Sequence, residues 1–473
     1  MQYEMVIGLE THVELSTKTK IFCGCTTAFG GEQNTHCCPV CVGLPGSLPK
    51  LNRAVVEYAV KAGLATNCQI ATVSKMDRKN YVYPDLAKAY QISQFDYPLC
   101  FNGRITLSDG HTIRLNRIHI EEDAGKLVHE GGEIFVDYNR GGVPLIEIVT
   151  EPDFRSAEQV REYLEQLRLI MKYLDVSDCK MQEGSLRCDV NISIRPQGSE
   201  GYGTRTEIKN VNSLAFIVKA IQAEFERQVD AVENGEKIVQ ETLRYNEADN
   251  STESMRGKED SNDYRYFRDP DLPIVTVSQE EIDRLRSSLP ELGAEKAKRY
   301  QKNWGISQKD SEQITRYAKV AAYFETMAEL SGAPKLCANV MLTHLFRYLD
   351  NEEEKEAAEF AVNAEEVAKV VKMIHEGEIS NNFTKKIIDA MMEKGKPFDQ
   401  LFEKSEFAAV DTSAIAPIVQ KVIDHNEKVV ADFKSGKEKA IGALIGMVMK
   451  ETRGKADAKT VEAMLRDKMK DPS

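Results

Sequence analysis

The chain has 473 residues, 42% hydrophobic, 29% charged and 7% aromatic, which is enough for about three domains at roughly 150 residues each. A mean hydropathy of -0.41, with no apolar run near the roughly 20 residues of a bilayer span, excludes collagen-like, disordered and membrane-spanning classes. With a net charge of -13 the protein as a whole does not look like a nucleic-acid binder, but residues 421–473 hold 12 Lys or Arg against 9 Asp or Glu, so a mildly basic tail on an acidic body could place polyanion contact at the end of the chain.

The opening residues, MQYEMVIGLE, enter a strand pattern directly, with no signal or transit pattern, and the cytoplasm is the expected location. VIGLETHVEL alternates, with Glu10, His12 and Glu14 on one face and Leu9, Thr11, Val13 and Leu15 on the other. Five of the ten cysteines crowd between Cys23 and Cys41. Cys23-Gly-Cys25 and Cys38-Pro-Val-Cys41 are two close thiol pairs twelve residues apart, a spacing that suits a closed, structural zinc site. Cys37, or His36 in place of a thiolate, complicates the ligand set, and a small hydrophobic knob of reduced cysteines is the plainer alternative.

Arg78 and Lys79 sit in DRKNYVYPD, and Arg265 sits in DYRYFRDPD. Both segments read as loops rich in Asp, Pro and Tyr that either contact phosphates or simply pack as turns. Carboxylates at Glu10, Glu14, Glu121, Glu122, Asp123, Glu147, Glu151 and Asp189 fall on or beside expected strands. Inward-facing acids on neighbouring strands would hold hard cations, and these in turn hold nucleotide phosphates. Glu147 interrupts the apolar strand VPLIEIVTEP, where a lone acid is costly without a partner. SLRCDVNISIR alternates cleanly, setting Leu186, Cys188, Val190, Ile192 and Ile194 against Arg187, Asp189, Asn191, Ser193 and Arg195.

Helical spacing marks 155–174 and 213–234, the second opening at Asn212 or Ser213 and stopping at Gly235. Ser278 to Glu281 forms a capping-box pattern, and beyond Pro290 the patterns are almost all helical. This places domains at 1–290, 291–408 and 409–473, with the second break in the loop chemistry near 404–417. In the last, Ile441, Leu444, Ile445, Val448 and Met449 form the stripe of a core-facing helix. Walker-type GxxxxGK[ST], GxGxxG and GxSxG patterns are absent, as is a Ser-Ser-Lys amidase stretch.

IGLETHVEL, FCGCTTAFG with NTHCCPVCVGLPGSLP, DRKNYVYPDLAKAYQISQFD, HIEEDAGK, DYNRGGVPLIEIVTEPD, MQEGSLRCDVNIS, TEIKNVNS and DYRYFRDPDLP together resemble the B subunit, the kinase and transamidase, of the tRNA-dependent glutamyl/aspartyl amidotransferases, in order and over nearly the whole chain. The resemblance implies an α+β protein. Its antiparallel-sheet cradle, 1–290, would be similar to glutamine synthetase and carry the zinc knob at 23–41, ahead of an all-α helical domain and a small helical tail. It also implies an ATP-dependent carbon-nitrogen ligase that phosphorylates the side-chain carboxylate of glutamate on tRNA(Gln) or aspartate on tRNA(Asn), which ammonia then converts to the amide. Ammonia would come from a partner amidase that hydrolyses glutamine, and a small third protein would complete a heterotrimer. Carried over by position, Glu10, His12, Glu122 and Glu147 are the expected magnesium and phosphate shell, with Lys79 and Asp189 beside them; Lys79 and Arg265 are the expected nucleotide contacts. Cys23, Cys25, Cys38 and Cys41 are the expected zinc ligands. Lys434, Lys437, Lys439, Lys450, Arg453 and Lys455 are the expected contacts to the tRNA body, because the basic surplus lies in the tail. The competing expectations are a non-enzymatic zinc-containing RNA-binding protein, which has no need of Glu122 and Glu147, and a free-standing ligase for a small amino acid, which has no need of the helical third.

Overall fold

A computed structural model describes the chain except for residues 1, 210, 212, 258–263, 409–411, 453 and 470–473. It divides into two compact units, Met1–Pro290 and Glu291–Ser473.

The first unit is organised by a nine-stranded sheet. Strand Tyr3–Glu14 lies near its middle, flanked by Leu186–Pro196 on one side and Pro144–Thr150 on the other, both antiparallel. Beyond Pro144–Thr150 come Thr112–Glu122, Cys100–Thr106 and the short edge strand Gln69–Ile70. Beyond Leu186–Pro196 come Thr206–Lys209, Glu241–Asn246 and Ser251–Gly257. The pairing of Thr206–Lys209 with Glu241–Asn246 is parallel, and the other pairings in the sheet are antiparallel.

Alternation gives this sheet two unlike faces. Ile7, Leu9, Val13, Ile118, Ile120, Ile146, Ile148, Val190 and Ile192 belong to one continuous apolar core. Helices Arg53–Ala65, Ala157–Tyr173 and Leu214–Glu233 supply Val56, Val60, Val160, Leu164, Leu167, Ile217 and Ile221 to the same core. The expected caps Ser213 and Ser278 form, accepting from Phe216 N–H and Glu281 N–H, and Ser156 likewise accepts from Gln159 N–H. Gly235, at φ +77, follows the end of the third helix where an L side chain would be strained. The other face of the sheet carries the residues in phase with Glu10 and His12, and this is where the chemistry collects.

The second unit is helical. Helices from Gly293–Trp304 to Thr384–Lys394 enclose a core that includes Tyr300, Phe324, Met327, Val371 and Ile388. Helices Thr412–His425, Glu427–Lys434, Ala440–Glu451 and Ala458–Met469 close over a separate one, in which Leu444 and Val448 of the expected stripe meet Val419, Val461 and Leu465. Among the described residues no helix is long and apolar enough to cross a membrane.

Candidate functional site

Two groups of side chains in the first unit have ligand chemistry. The first is the cysteine knob. The sulfurs of Cys23, Cys25, Cys38 and Cys41 all lie within 4.8 Å of one another. Thiolates around one tetrahedral zinc, at about 2.3 Å each, stand about 3.8 Å apart, and the Cys38 and Cys41 sulfurs are already at 3.9 Å. A hydrogen bond from Cys23, with further help from the Cys38 N–H at 3.1 Å, pulls the Cys41 thiol down to about 4 against the cost of burial. Cys37 stands outside the group, its sulfur 3.8 Å from Asn139 Oδ1, which also accepts the His36 N–H.

The second group is assembled across strands. Directly opposed residues share a face, and the register sets His12 against Glu147 and Glu147 against His119. Glu121, two residues beyond His119, joins this row from the same face. His12 Nε2 lies 3.3 Å from Glu121 Oε1 and 3.7 Å from Glu147 Oε2, while His119 Nε2 lies 3.1 Å from Glu147 Oε2 and 3.7 Å from Glu121 Oε2. Burial disfavours a charged imidazole, yet the Glu121 hydrogen bond and the two carboxylate charges lift His12 to about 9. The histidines in turn hold Glu121 well below the usual carboxylate range, against desolvation.

A second acidic trio adjoins it. Glu10 opposes Asp189 across the sheet, and a carboxylate oxygen from each, with one from Glu207, falls within 4.8 Å of the others. Lys209 ties Asp189 at 2.9 Å and Glu207 at 3.1 Å. Burial, then the charge of Glu147, pushes the Glu10 carboxyl up. Acids this close and this buried need a cation or a proton between them. His12, Glu121 and Glu147 suit a hard divalent ion, whose ligands at about 2.1 Å stand at most about 4.2 Å apart, so only a small contraction would seat it.

The expectation for Glu122 is corrected by the pleat. Glu121, not Glu122, stands beside His12 and Glu147. Glu122 turns to the opposite face, where its carboxylate takes Lys88 at 2.6 Å and the Ile92 N–H at 2.8 Å. It lines a different pocket, shared with Cys23, Cys41 and Lys88. The signal was in the sequence: Ile118-His119-Ile120-Glu121 alternates, so Glu121 shares the polar phase and Glu122 the apolar one.

Lys79 lines the cavity over the row, together with Glu10, Gln94, Phe95, Arg117 and Tyr266. Its ammonium sits 4.9 Å over the Tyr264 ring and 5.6 Å over Tyr81. The two loop-like segments named above pair as strands: Phe267 opposes Arg78, Asn80 N–H donates to Tyr264 O, and Arg78 is bound to Asp269 at 2.7 Å and Asp271 at 3.0 Å. Tyr266 stacks on Phe95 at 4.3 Å. Arg265 has an exposed side chain and is not among the cavity residues; its carbonyl accepts from Asn80. His119, Glu207, Lys209 and Arg117 escaped sequence reasoning because only strand register reveals them.

In the tail, Lys434, Lys437, Lys439 and Lys450 are exposed. Lys437 pairs with Asp432 at 2.9 Å, and half-buried Lys455 donates to Ser405 O at 3.2 Å. Arg453 lies outside the described residues.

Comparison with known proteins gives these groups a setting. Residues 5–283 match the family described as GatB/GatE catalytic domain, and residues 322–469 match the GatB domain. Proteins named as the B subunit of the aspartyl/glutamyl-tRNA(Asn/Gln) amidotransferase are 50% identical in Caldicellulosiruptor saccharolyticus, over 99% of both chains, and 49% identical in Clostridium botulinum, over 98% of both. The one from Thermoanaerobacter sp. is 50% identical over 99% of this chain and 100% of its own length. On the length and identity of these matches, the chain belongs to the B subunit family of the aspartyl/glutamyl-tRNA(Asn/Gln) amidotransferases.

Proposed function

We propose that the polar face of the sheet is where ATP activates the side-chain carboxylate of glutamate on tRNA(Gln), or of aspartate on tRNA(Asn), for amidation. The observation that carries this reading is the convergence of Glu121 and Glu147, both in contact with His12, with Lys79 on one cavity. A carboxylate oxygen is a poor leaving group, whereas phosphate is a good one. The bond from the γ-phosphorus to ADP breaks with its electrons going to ADP, while a side-chain carboxylate oxygen bonds to that phosphorus. Ammonia then adds to the acyl carbon, phosphate departs with the electron pair, and the proton lost by nitrogen passes to phosphate.

His12, Glu121 and Glu147, with Glu10 adjoining, are the residues that would hold magnesium; when bound, the ion neutralises charge on the phosphoryl oxygens. Lys79, held between tyrosine faces, supplies a positive charge to the same cavity. Asp189 fixes Lys209 and thereby the second acidic trio. Arg265 braces the strand bearing Lys79 through its carbonyl, which accepts from Asn80. We read the antiparallel sheet with one acid-bearing face as the glutamine synthetase-like cradle. The four-sulfur knob leaves no open position for catalysis and is assigned to a structural zinc. The sequence carries no Ser-Ser-Lys amidase stretch, and the ammonia supply is assigned to a partner amidase, in a heterotrimer completed by a small third protein. A sheltered passage is required, because water destroys an acyl phosphate. The tail binds the tRNA body through its exposed lysines, and the reaction takes place in the cytoplasm. A non-enzymatic RNA binder is disfavoured by buried acids that would repel phosphate.

The test uses the assembled complex: ADP release should require the mischarged tRNA and magnesium. ADP release that ignores mischarged tRNA, or none at all, contradicts the reading.

A further inference from the structure

Most arginines near the polar face are spent on acids. Arg78 pairs with Asp269, Arg187 with Asp123, Arg195 with Glu4 and Arg114 with Asp153. Arg117 is different. It lies on strand Thr112–Glu122 opposite Val149, two residues before His119 and in the same phase. It lines the cavity with Glu10, Glu121 and Glu147, yet it makes no ion pair among the described residues. The one hydrogen bond of its side chain there runs from Nη1 to Phe95 O at 3.3 Å, and its Nε is buried without a partner.

A buried N–H left without a partner keeps its full desolvation penalty. A guanidinium that tolerates this beside three carboxylates is held in place by packing, with part of its donor fork unspent. That fork matches the oxygens of a phosphoryl group in a two-bond geometry an ammonium cannot offer. We infer that Arg117 is a further catalytic residue, donating hydrogen bonds to the non-bridging oxygens of the phosphoryl group as it moves from ATP to the substrate carboxylate. The assignment rests on the phosphoryl-transfer reading of this cavity. During transfer, charge spreads over those oxygens while the acids of the same face are committed to the cation, so a guanidinium lining the same cavity acts on the transition state more than on the ground state. No proton moves to or from Arg117.

The experiment measures ADP release by the assembled complex with saturating ATP and varied mischarged tRNA. Arg117→Gln should lower kcat about 100-fold or more while the KM for tRNA stays within about threefold. Arg117→Lys, which keeps the charge and the stem but loses the fork, should fall between the two. Added guanidinium should restore part of the kcat of Arg117→Ala, an effect that a packing role would not produce. A wild-type kcat in Arg117→Gln overturns the inference. So does a rise confined to the KM for tRNA, which would make Arg117 a contact to the nucleic acid or its amino acid, and so does a lowered kcat that guanidinium leaves unchanged in Arg117→Ala. Failure of the broader reading looks different: the wild-type complex itself would release no ADP in response to mischarged tRNA.

Discussion

The cysteine knob and the carboxylate row are both sets of ligand atoms gathered within 4.8 Å, but they are built in opposite ways. The knob draws its four sulfurs from one loop of nineteen positions, Cys23 to Cys41, so its ligand set is a local property of the chain. The row takes His12, Glu121 and Glu147 from three strands, and the sheet register alone brings them together. Three of the knob's cysteines are half-buried and Cys41 is buried, while the row sits on strands whose reverse side is the main core. A local site can be lost with little effect on the fold around it; a site made by register can be altered in charge without moving at all. This contrast sets the order of expected effects.

The largest belongs to the row. Glu147→Gln removes a carboxylate oxygen facing both histidines but keeps the shape of the side chain, so tRNA-dependent ADP release should fall about 1,000-fold with an unchanged circular dichroism spectrum. Near wild-type turnover would place the chemistry elsewhere.

Next comes the knob. Cys38→Ser, or zinc removal by chelator, should cost on the order of 3 kcal/mol in the stability of the loop. Metal analysis of protein purified under reducing, chelator-free conditions should find one zinc per chain in the wild type and none in the variant. Zinc-free wild-type protein would leave the knob as packed thiols.

A pH titration separates the two sites further. The His12 imidazole of metal-free protein is raised to about 9 from an ordinary value near 6.5. Its charged pairing with Glu121 therefore stabilises the metal-free fold fully below about 6.5 and is lost as pH rises through 9. Cation binding has the opposite sign, since it requires the neutral ring. Apparent magnesium affinity at the row should rise by up to about tenfold per pH unit below 9, with release of one proton. An affinity independent of pH from 6 to 9 would remove His12 from the ligand set.

The smallest effect is in the tail. Changing Lys439 and Lys450 together to Ala should raise the KM for mischarged tRNA about tenfold and lower the slope of log affinity against log salt by about one per lost phosphate contact, with kcat kept. Lys437 and Lys455 should matter less for tRNA, since Asp432 and Ser405 O already engage them.

What the sequence could disclose follows the same division. The long strands Tyr3–Glu14 and Leu186–Pro196, the capped helices and the knob were legible because their signals are local: period, cap and spacing. The strand order was not, nor was the parallel pairing of Thr206–Lys209 with Glu241–Asn246, because nothing within one strand names its neighbour. His12 and Glu147 were legible as polar residues in strand patterns. Their company was not: His119 lies more than a hundred residues from His12, and adjacent Glu121 and Glu122 differ only in the phase of a strand.

That one-residue distinction offers the most direct test of the account. Magnesium should be titrated against tRNA-dependent ADP release in the assembled complex for wild type, Glu121→Gln and Glu122→Gln. With the cation held by His12, Glu121 and Glu147, the half-saturating magnesium concentration should rise about tenfold or more in Glu121→Gln and stay within about threefold in Glu122→Gln, whose carboxylate serves Lys88 and the Ile92 N–H. The reverse order would contradict the claim that this row holds the metal.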